Sequence, residues 1–311
     1  MTYYPRDHGR AGDGTESRRL RSVKPARPSR RSQATGKQPK QATAKTARGG
    51  AGRHDTTPRG EADGSRRWGD AKPEIVYGKR SVRAVFIARP EAIRRAVMRE
   101  GAARYLQEFI DLAKTTGVEP EYLRTGEFLR QCALSEDDKH QGIFVVADPV
   151  RIHSEYDFDI LDNASVVFVL DQVSNPQNLG TIIRAAAFFG VDAVIWPRDR
   201  AADITPTVTR VAVGGTEFVK LFRVTNLARG LDLLKDRGFW VYGFDERGKK
   251  TLTEAKFHPK SVVIIGAEGE GMRHRTKTLC DELISIPGGR PGLENLNAAV
   301  AASVVMAEMF R

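Results

Sequence analysis

From residue 73 onward, apolar runs of strand length alternate with segments whose apolar positions recur every three or four residues, the pattern of an α/β chain. AVFIAR (84–89) reads as a strand and PEAIRRAVMRE (90–100) as a helix with proline in its first turn. RYLQEFIDLAKTTG (104–117) reads as an amphipathic helix stopped by Gly117. EYLR, GEFLRQCAL and IFVVAD, ending at Asp148, complete a small α/β unit over 73–148. Residues 149–163 (PVRIHSEYDFDILDN) are polar and aperiodic, which predicts a linker. A second series fills 164–311. SVVFVLD is a buried-type strand, and NPQNLGTIIRAAAFFG is a helix with Asn175 as N-cap, Pro176 at N1 and Gly190 as its stop. DAVIWP, FWVYGFD, KSVVIIG and DELISIP supply further strands, with LARGLDLLKDRG a helix among them. Such alternation predicts a mostly parallel sheet with ligand loops at the carboxyl ends of its strands.

The last two strands each break into a glycine-rich loop. VVIIGAEGEGM (262–272) is the first, and LISIPGGRPGLENLN (283–297) is the second, which opens the apolar helix AAVAASVVMAEMF. Glycines let the main chain approach a ligand, and freed N–H and C=O groups can bond the edge of a flat heterocycle such as adenine. Glu268 is the one ionisable side chain expected in that wall, so the pocket is built for binding rather than for a covalent nucleophile. The spacing from Gly266 to Gly269 and Gly271 is not the dinucleotide fingerprint, which disfavours an oxidoreductase.

Gly180 and Arg184 lie four residues apart on one helix face, an arrangement that leaves room for a substrate group to reach the guanidinium. Arg184 sits within the apolar run TIIRAAAFFG, where a buried charge requires a partner. A structural arginine, salt-bridged to a strand end, is the competing reading. His140, Gln141 and Gly142 precede the last strand of the small unit, where a histidine is expected as a loop hydrogen-bonder.

Charge sharpens the division. Residues 1–72 carry 18 Lys plus Arg against 7 Asp plus Glu, whereas residues 73–311 carry 32 of each sign, so the whole +11 excess lies in the amino-terminal segment. That segment is poor in large apolar residues, and it is expected to be a disordered basic tail that binds nucleic acid by counterion release, with a tail that only solubilises or targets the protein as the alternative. Cys132 and Cys280 lack metal-ligand spacing, so free thiols and no metal are expected. No uncharged apolar run of membrane-spanning length occurs and no signal peptide is recognisable, giving the expectation of a soluble, cytoplasmic protein without a membrane partner.

NLGTIIR, IIGAEGEGM and ISIPGGRPGLENLNAAVA stand in the order and spacing of the three motifs of the SpoU/TrmH family of RNA ribose 2′-O-methyltransferases, and the chain resembles that family over 164–311. RVAVGGTEFVKLFRV looks like a further family segment, and residues 74–148 with their HQG resemble the small RNA substrate-binding domain of the RlmB-like branch. The resemblance implies a SPOUT-type trefoil-knotted α/β domain preceded by a small L30e-like α/β domain. It further implies S-adenosylmethionine as methyl donor, rRNA or tRNA as partner, and a homodimer that shares its active sites. By the family pattern Gly266, Ile286 and Leu296 contact the cofactor through main chain. Gly271 and Asn295 belong to the same cofactor-binding set, and Asn297 braces the second loop. Glu268 fixes loop geometry or reaches the substrate side, while Arg184 and Asn178 face the RNA.

Two departures from the pattern bear on activity. Asn295 stands where the family usually has serine, and the loop from Pro287 to Leu296 is about one residue longer than usual. An RNA-binding assembly factor that keeps the fold without turnover is therefore the alternative to an active methyltransferase.

Overall fold

A computed structural model describes residues 72–288 and 295–311. The expected tail, up to residue 71, and residues 289–294 of the second glycine loop lie outside the described residues.

The small unit is a four-stranded sheet in the order β1-β4-β2-β3, built from β1 (Glu74–Tyr77), β2 (Ile93–Arg99), β3 (Pro120–Leu123) and β4 (Ile143–Ala147). β4 runs antiparallel to both neighbours, and β3 runs parallel to β2. Helices α1 (Lys79–Ala88), α2 (Gln107–Thr115) and α3 (Thr125–Cys132) cover it. Two elements differ from the reading of the sequence. AVFIAR is the end of α1, because Val82, Val85 and Phe86 bury one face at helical spacing while Ile87 is 60% exposed. The segment after Pro90 is β2, whose Ala96, Val97 and Met98 are fully buried between β4 and β3. A strand covered on both faces loses its alternation, which is why it passes for a helix.

The second unit is built on eight strands in the order β10-β12-β9-β11-β6-β7-β8-β5, with every neighbouring pair parallel. They are β5 (Ile152–His153), β6 (Val166–Asp171), β7 (Ala193–Pro197), β8 (Lys220–Val224), β9 (Trp240–Phe244), β10 (Lys250–Thr251), β11 (Ser261–Gly266) and β12 (Glu282–Ser285). Central β6, β7 and β11 read as continuous apolar runs because helices cover both faces of a parallel sheet. The helices are α4 (Pro176–Phe189), α5 (Pro206–Ala212), α6 (Leu227–Asp236), α7 (His274–Leu279) and α8 (Ala298–Met309). α4 starts and stops as its sequence dictates: the Asn175 side chain accepts from the Gln177 N–H, and Gly190 takes a left-handed conformation at φ 82°.

Residues 149–163 are more than a linker. β5 pairs with β8 at the sheet edge, and the 3-10 stretch Glu155–Leu161 inserts Phe158 and Leu161 into the core. Ser154 and Asp157 form a capping box, and Glu155 accepts from the Thr225 N–H at 3.2 Å. Two buried apolar residues among polar ones are too few to show a period, yet they anchor the segment.

Candidate active site

The carboxyl ends of β9, β11 and β12 open together onto a cavity of about 750 Å³, whose far wall is the start of α8. Ile265, Ile286, Leu296, Ala298 and Ala301 make its apolar surface, and Asp245, Glu246, Glu268 and Glu270 supply carboxylates. Cavities of this size and mixed lining suit one flat, partly polar organic ligand.

The first glycine loop is closed on itself. Ala267 and Gly271 exchange backbone hydrogen bonds of 3.2 and 3.0 Å, and Gly269 and Gly271 have φ of 81° and 68°. A Cβ on Gly266 would lie 2.3 Å from the Gly271 carbonyl carbon. The glycines are thus required first for the loop to fold against its own backbone, and the compact turn then presents that backbone to the cavity.

Three distant segments meet at the mouth. The Asn178 side-chain N–H on α4 donates to Glu268 Oε1 at 2.6 Å, and Asn297 Nδ2 donates both to the same oxygen and, at 3.1 Å, to Asn178 Oδ1. The Ala298 N–H approaches Glu268 Oε1 at 3.4 Å. Asn297 Oδ1 meanwhile caps α8 by accepting from the Ala299 and Val300 N–H groups at 2.9 and 3.3 Å. One carboxylate oxygen of the first glycine loop therefore gathers donors from the end of the second loop, at the start of α8, and from the first turn of α4. Asn178 is only 8% exposed and spends its amide on this network rather than opening to the surface.

Arg184 lies six residues further along α4, about 9 Å up the helix axis. Its side chain is exposed and has no hydrogen-bond or ion partner among the described residues, which counts against the competing reading of a structural, salt-bridged arginine. The expected gap beside it is also absent. A Cβ on Gly180 would meet Val211 Cβ at 2.7 Å and the Val208 carbonyl at 2.9 Å, so this glycine serves the close packing of α4 on α5. Arg184 is not part of the cavity wall of its own chain, whereas Gly266, Gly271, Ile286, Leu296, Asn295, Asn297 and Glu268 all are.

Sequence reading missed Asp245. It follows β9, lines the cavity, forms an ion pair with Lys277 at 2.5 Å and accepts from the Arg247 N–H. Burial pushes its carboxyl up, but Lys277 and Arg247 outweigh that and hold it below the ordinary range. An acidic residue ending a third parallel strand was the available signal. Asp171, fully buried at the end of β6, accepts from the Arg273 N–H at 2.8 Å and ties α7 to the sheet. His140 is buried, accepts from the Gly142 N–H through Nδ1 at 2.9 Å and packs on Phe128, the loop role expected of it. The Cys280 thiol is pushed up to about 12 by burial and is inert at neutral pH. Among the described residues no cluster of three or more His, Cys, Asp or Glu could hold a metal, and no helix is long and apolar enough to cross a membrane.

Residues 75–153 match the model described as RNA 2′-O ribose methyltransferase substrate binding, and residues 165–307 match that of the SpoU rRNA methylase family. A curated relative from Salmonella typhi, named 23S rRNA (guanosine-2′-O-)-methyltransferase RlmB, is 36% identical over 242 residues, covering 76% of this chain and 98% of its own. The protein of the same name from Pectobacterium atrosepticum is 38% identical with the same coverage. Among solved structures, the SpoU methyltransferase AviRb from Streptomyces viridochromogenes, in complex with the cofactor AdoMet, shares the fold at a TM-score of 0.63 and 23% identity, covering 80% of this chain and 94% of its own. Fold and site together define an RNA 2′-O-ribose methyltransferase with a substrate-binding domain ahead of its catalytic one. The chain belongs to the SpoU rRNA methylase family.

Proposed function

We propose that this protein transfers the methyl group of S-adenosylmethionine to a ribose 2′-hydroxyl of 23S rRNA, on a guanosine as in its relatives' names. The observation that carries the reading is the Asn178–Glu268–Asn297 network, which locks the three family motifs around one cavity. The lining fits the cofactor: apolar Ile265, Ile286, Leu296 and Ala301 suit an adenine face, and the carboxylates suit ribose hydroxyls and a cationic sulfonium. Bound there, the cofactor supplies an electrophilic methyl group. Gly266, Gly271, Ile286 and Leu296, which line the cavity, would hold it through main chain, with Asn295 and Asn297 completing the second loop.

In the transfer the ribose 2′-oxygen would form its bond to the methyl carbon as the sulfur–methyl bond breaks, leaving the neutral thioether S-adenosylhomocysteine, and would lose its proton to a phosphate oxygen or water. Arg184 clamps the neighbouring phosphate and the forming oxyanion, since a guanidinium stays protonated at neutral pH and is a poor base. Glu268 and Asn178 keep the first loop in register.

Several parts of the reading go together. The chain divides into a basic tail (1–72), a small L30e-like substrate domain (73–148), a connecting segment (149–163) and a catalytic domain (164–311). A trefoil knot in the last part is supported by strand order: β12 lies between β9 and β10 while β11 lies on the far side of β9, so the β9–β10 connection passes β12 and the β11–β12 connection passes β9. A homodimer is supported by an apolar face on α4 and α8, where Phe188 is 82% exposed beside Val300, Val304 and Phe310. A second copy on that face accounts for Arg184 standing outside its own cavity. With rRNA as substrate the enzyme works in the cytoplasm.

Asn295, exposed at the cavity where the family usually has serine, favours one second reading, an RNA-binding assembly factor without turnover. Incubation with radiolabelled S-adenosylmethionine and separated unmodified rRNA and tRNA, followed by mapping of 2′-O-methyl groups, tests both. Cofactor binding without label in any RNA sinks the enzyme reading, and label in tRNA alone moves the substrate.

A further inference from the structure

We propose that Arg89 and Glu217 form a positioning pair that holds the substrate-binding domain in fixed register with Arg184. Arg89, at the end of α1, belongs to the small domain, and Glu217 sits in the catalytic domain in the 3-10 turn after α5. The guanidinium engages Glu217 through both Nε and Nη2, reaches Glu74 Oε1 from Nη2 at 3.3 Å, and donates from Nη1 to the Asp148 carbonyl. The Glu217 side chain is 1% exposed and that of Arg89 15%. A buried ion pair contributes little net stability compared with an apolar replacement, whereas a forked arginine–carboxylate contact adds directional constraint. The pair is therefore a geometric device before it is a stabilising one.

Its neighbours show what the geometry serves. At Gly214, φ is 84°, and a Cβ there would stand 2.5 Å from Ala84 Cβ and 3.3 Å from Ser81 Cα, so α1 rests on this backbone. At Gly215 a Cβ would stand 3.0 Å from the Arg184 Cα and 3.1 Å from the Ile183 carbonyl. Residues 214–217 are thus a short turn held between α1 on one side and the Arg184 stretch of α4 on the other. In the proposal, this packed turn sets the position of an RNA gripped by the small domain relative to Arg184. The inference rests on the function proposed above.

The test uses the full chain carrying Arg89→Gln with Glu217→Gln, which removes both charges of the pair, while Glu74, the second carboxylate on Arg89, keeps its bond from the Val150 N–H. Nitroxide labels on Glu119→Cys and Asp232→Cys read the distance between domains. The expected result is a broadened distance distribution and a single-turnover rate lowered about 100-fold, the scale of a 1 Å misplacement, with Kd for RNA and for S-adenosylmethionine unchanged. Arg89→Lys, which keeps charge without the fork, is expected to fall between. Narrow distances in the double variant, or broad ones with undiminished turnover, overturn the proposal, as does loss of cofactor affinity in step with rate. A wild-type chain that methylates no RNA sinks the proposed function instead, and the distances then still decide whether the pair holds the domains.

Discussion

Asn178 and Glu268 are ninety positions apart in the chain, and the amide of one donates to the carboxylate of the other at 2.6 Å. This bond links the first turn of α4 to the loop after β11, and Asn297 joins both to the start of α8. One carboxylate oxygen thus ties together the three segments at the mouth of the cavity.

Removing that carboxylate should loosen the cavity. Hydrogen bonds to a charged acceptor are worth about 1.5–3 kcal/mol each, and the solvent exposure of Glu268 puts its net effect at the low end. Glu268→Ala is expected to raise the Kd for S-adenosylmethionine roughly tenfold by calorimetry. Glu268→Gln, which keeps the acceptor without the charge, should lose less.

Arg184 separates chemistry from binding. Since it is exposed and unpaired among the described residues, Arg184→Ala should leave thermal stability and cofactor affinity unchanged while lowering kcat by about 100- to 1,000-fold, the usual loss for an oxyanion-stabilising donor. Arg184→Lys should also lose most activity, because a point charge does not replace the fork. Near-full activity in the lysine variant would refute the clamp.

Gly180→Ala tests the packing of α4 on α5. The added Cβ has Val211 Cβ at 2.7 Å and the Val208 carbonyl at 2.9 Å, and overpacking of this kind costs about 1–3 kcal/mol. A drop in Tm of several degrees is expected, although alanine is the better helix former. An unchanged Tm would mean the interface yields.

Gly180 and Asn178 also show where local sequence stops dictating structure. The start and stop of α4 were legible because Asn175, Pro176 and Gly190 act within a few residues of themselves. The parallel strands were legible because burial on both faces leaves continuous apolar runs. Gly180, by contrast, takes its meaning from α5, about thirty residues away, and Asn178 from a carboxylate ninety residues away. The exchange of helix and strand between Ala84 and Arg99 has the same origin. Only the sheet itself shows that β2 is covered on both faces and that Ile87 is exposed. Asp245 went unread although it ends a parallel strand, because only the fold shows that the end of β9 opens onto the same cavity as those of β11 and β12.

His140 gives the small domain a pH dependence. Burial first, and then nearby Arg99, lower its pKa below 6.5, and its Nδ1 accepts from the Gly142 N–H. A group depressed on folding contributes stability that is present above its unfolded value and lost as pH falls through the folded one. Wild-type Tm should therefore decline from about pH 6.5 downward through this residue. In His140→Asn, the part of that decline due to His140 should vanish when melting is followed between neutral and mildly acidic pH. Parallel curves for the two proteins would contradict this assignment.

The most direct measurement is methyl transfer itself. Purified protein is incubated with radiolabelled S-adenosylmethionine and 23S rRNA lacking the modification, and the labelled nucleotide is mapped. A single ribose 2′-O-methyl group, absent when Arg184→Ala replaces the wild type, is the expected result. Label on a base, or no label from a protein that binds the cofactor, would contradict the account.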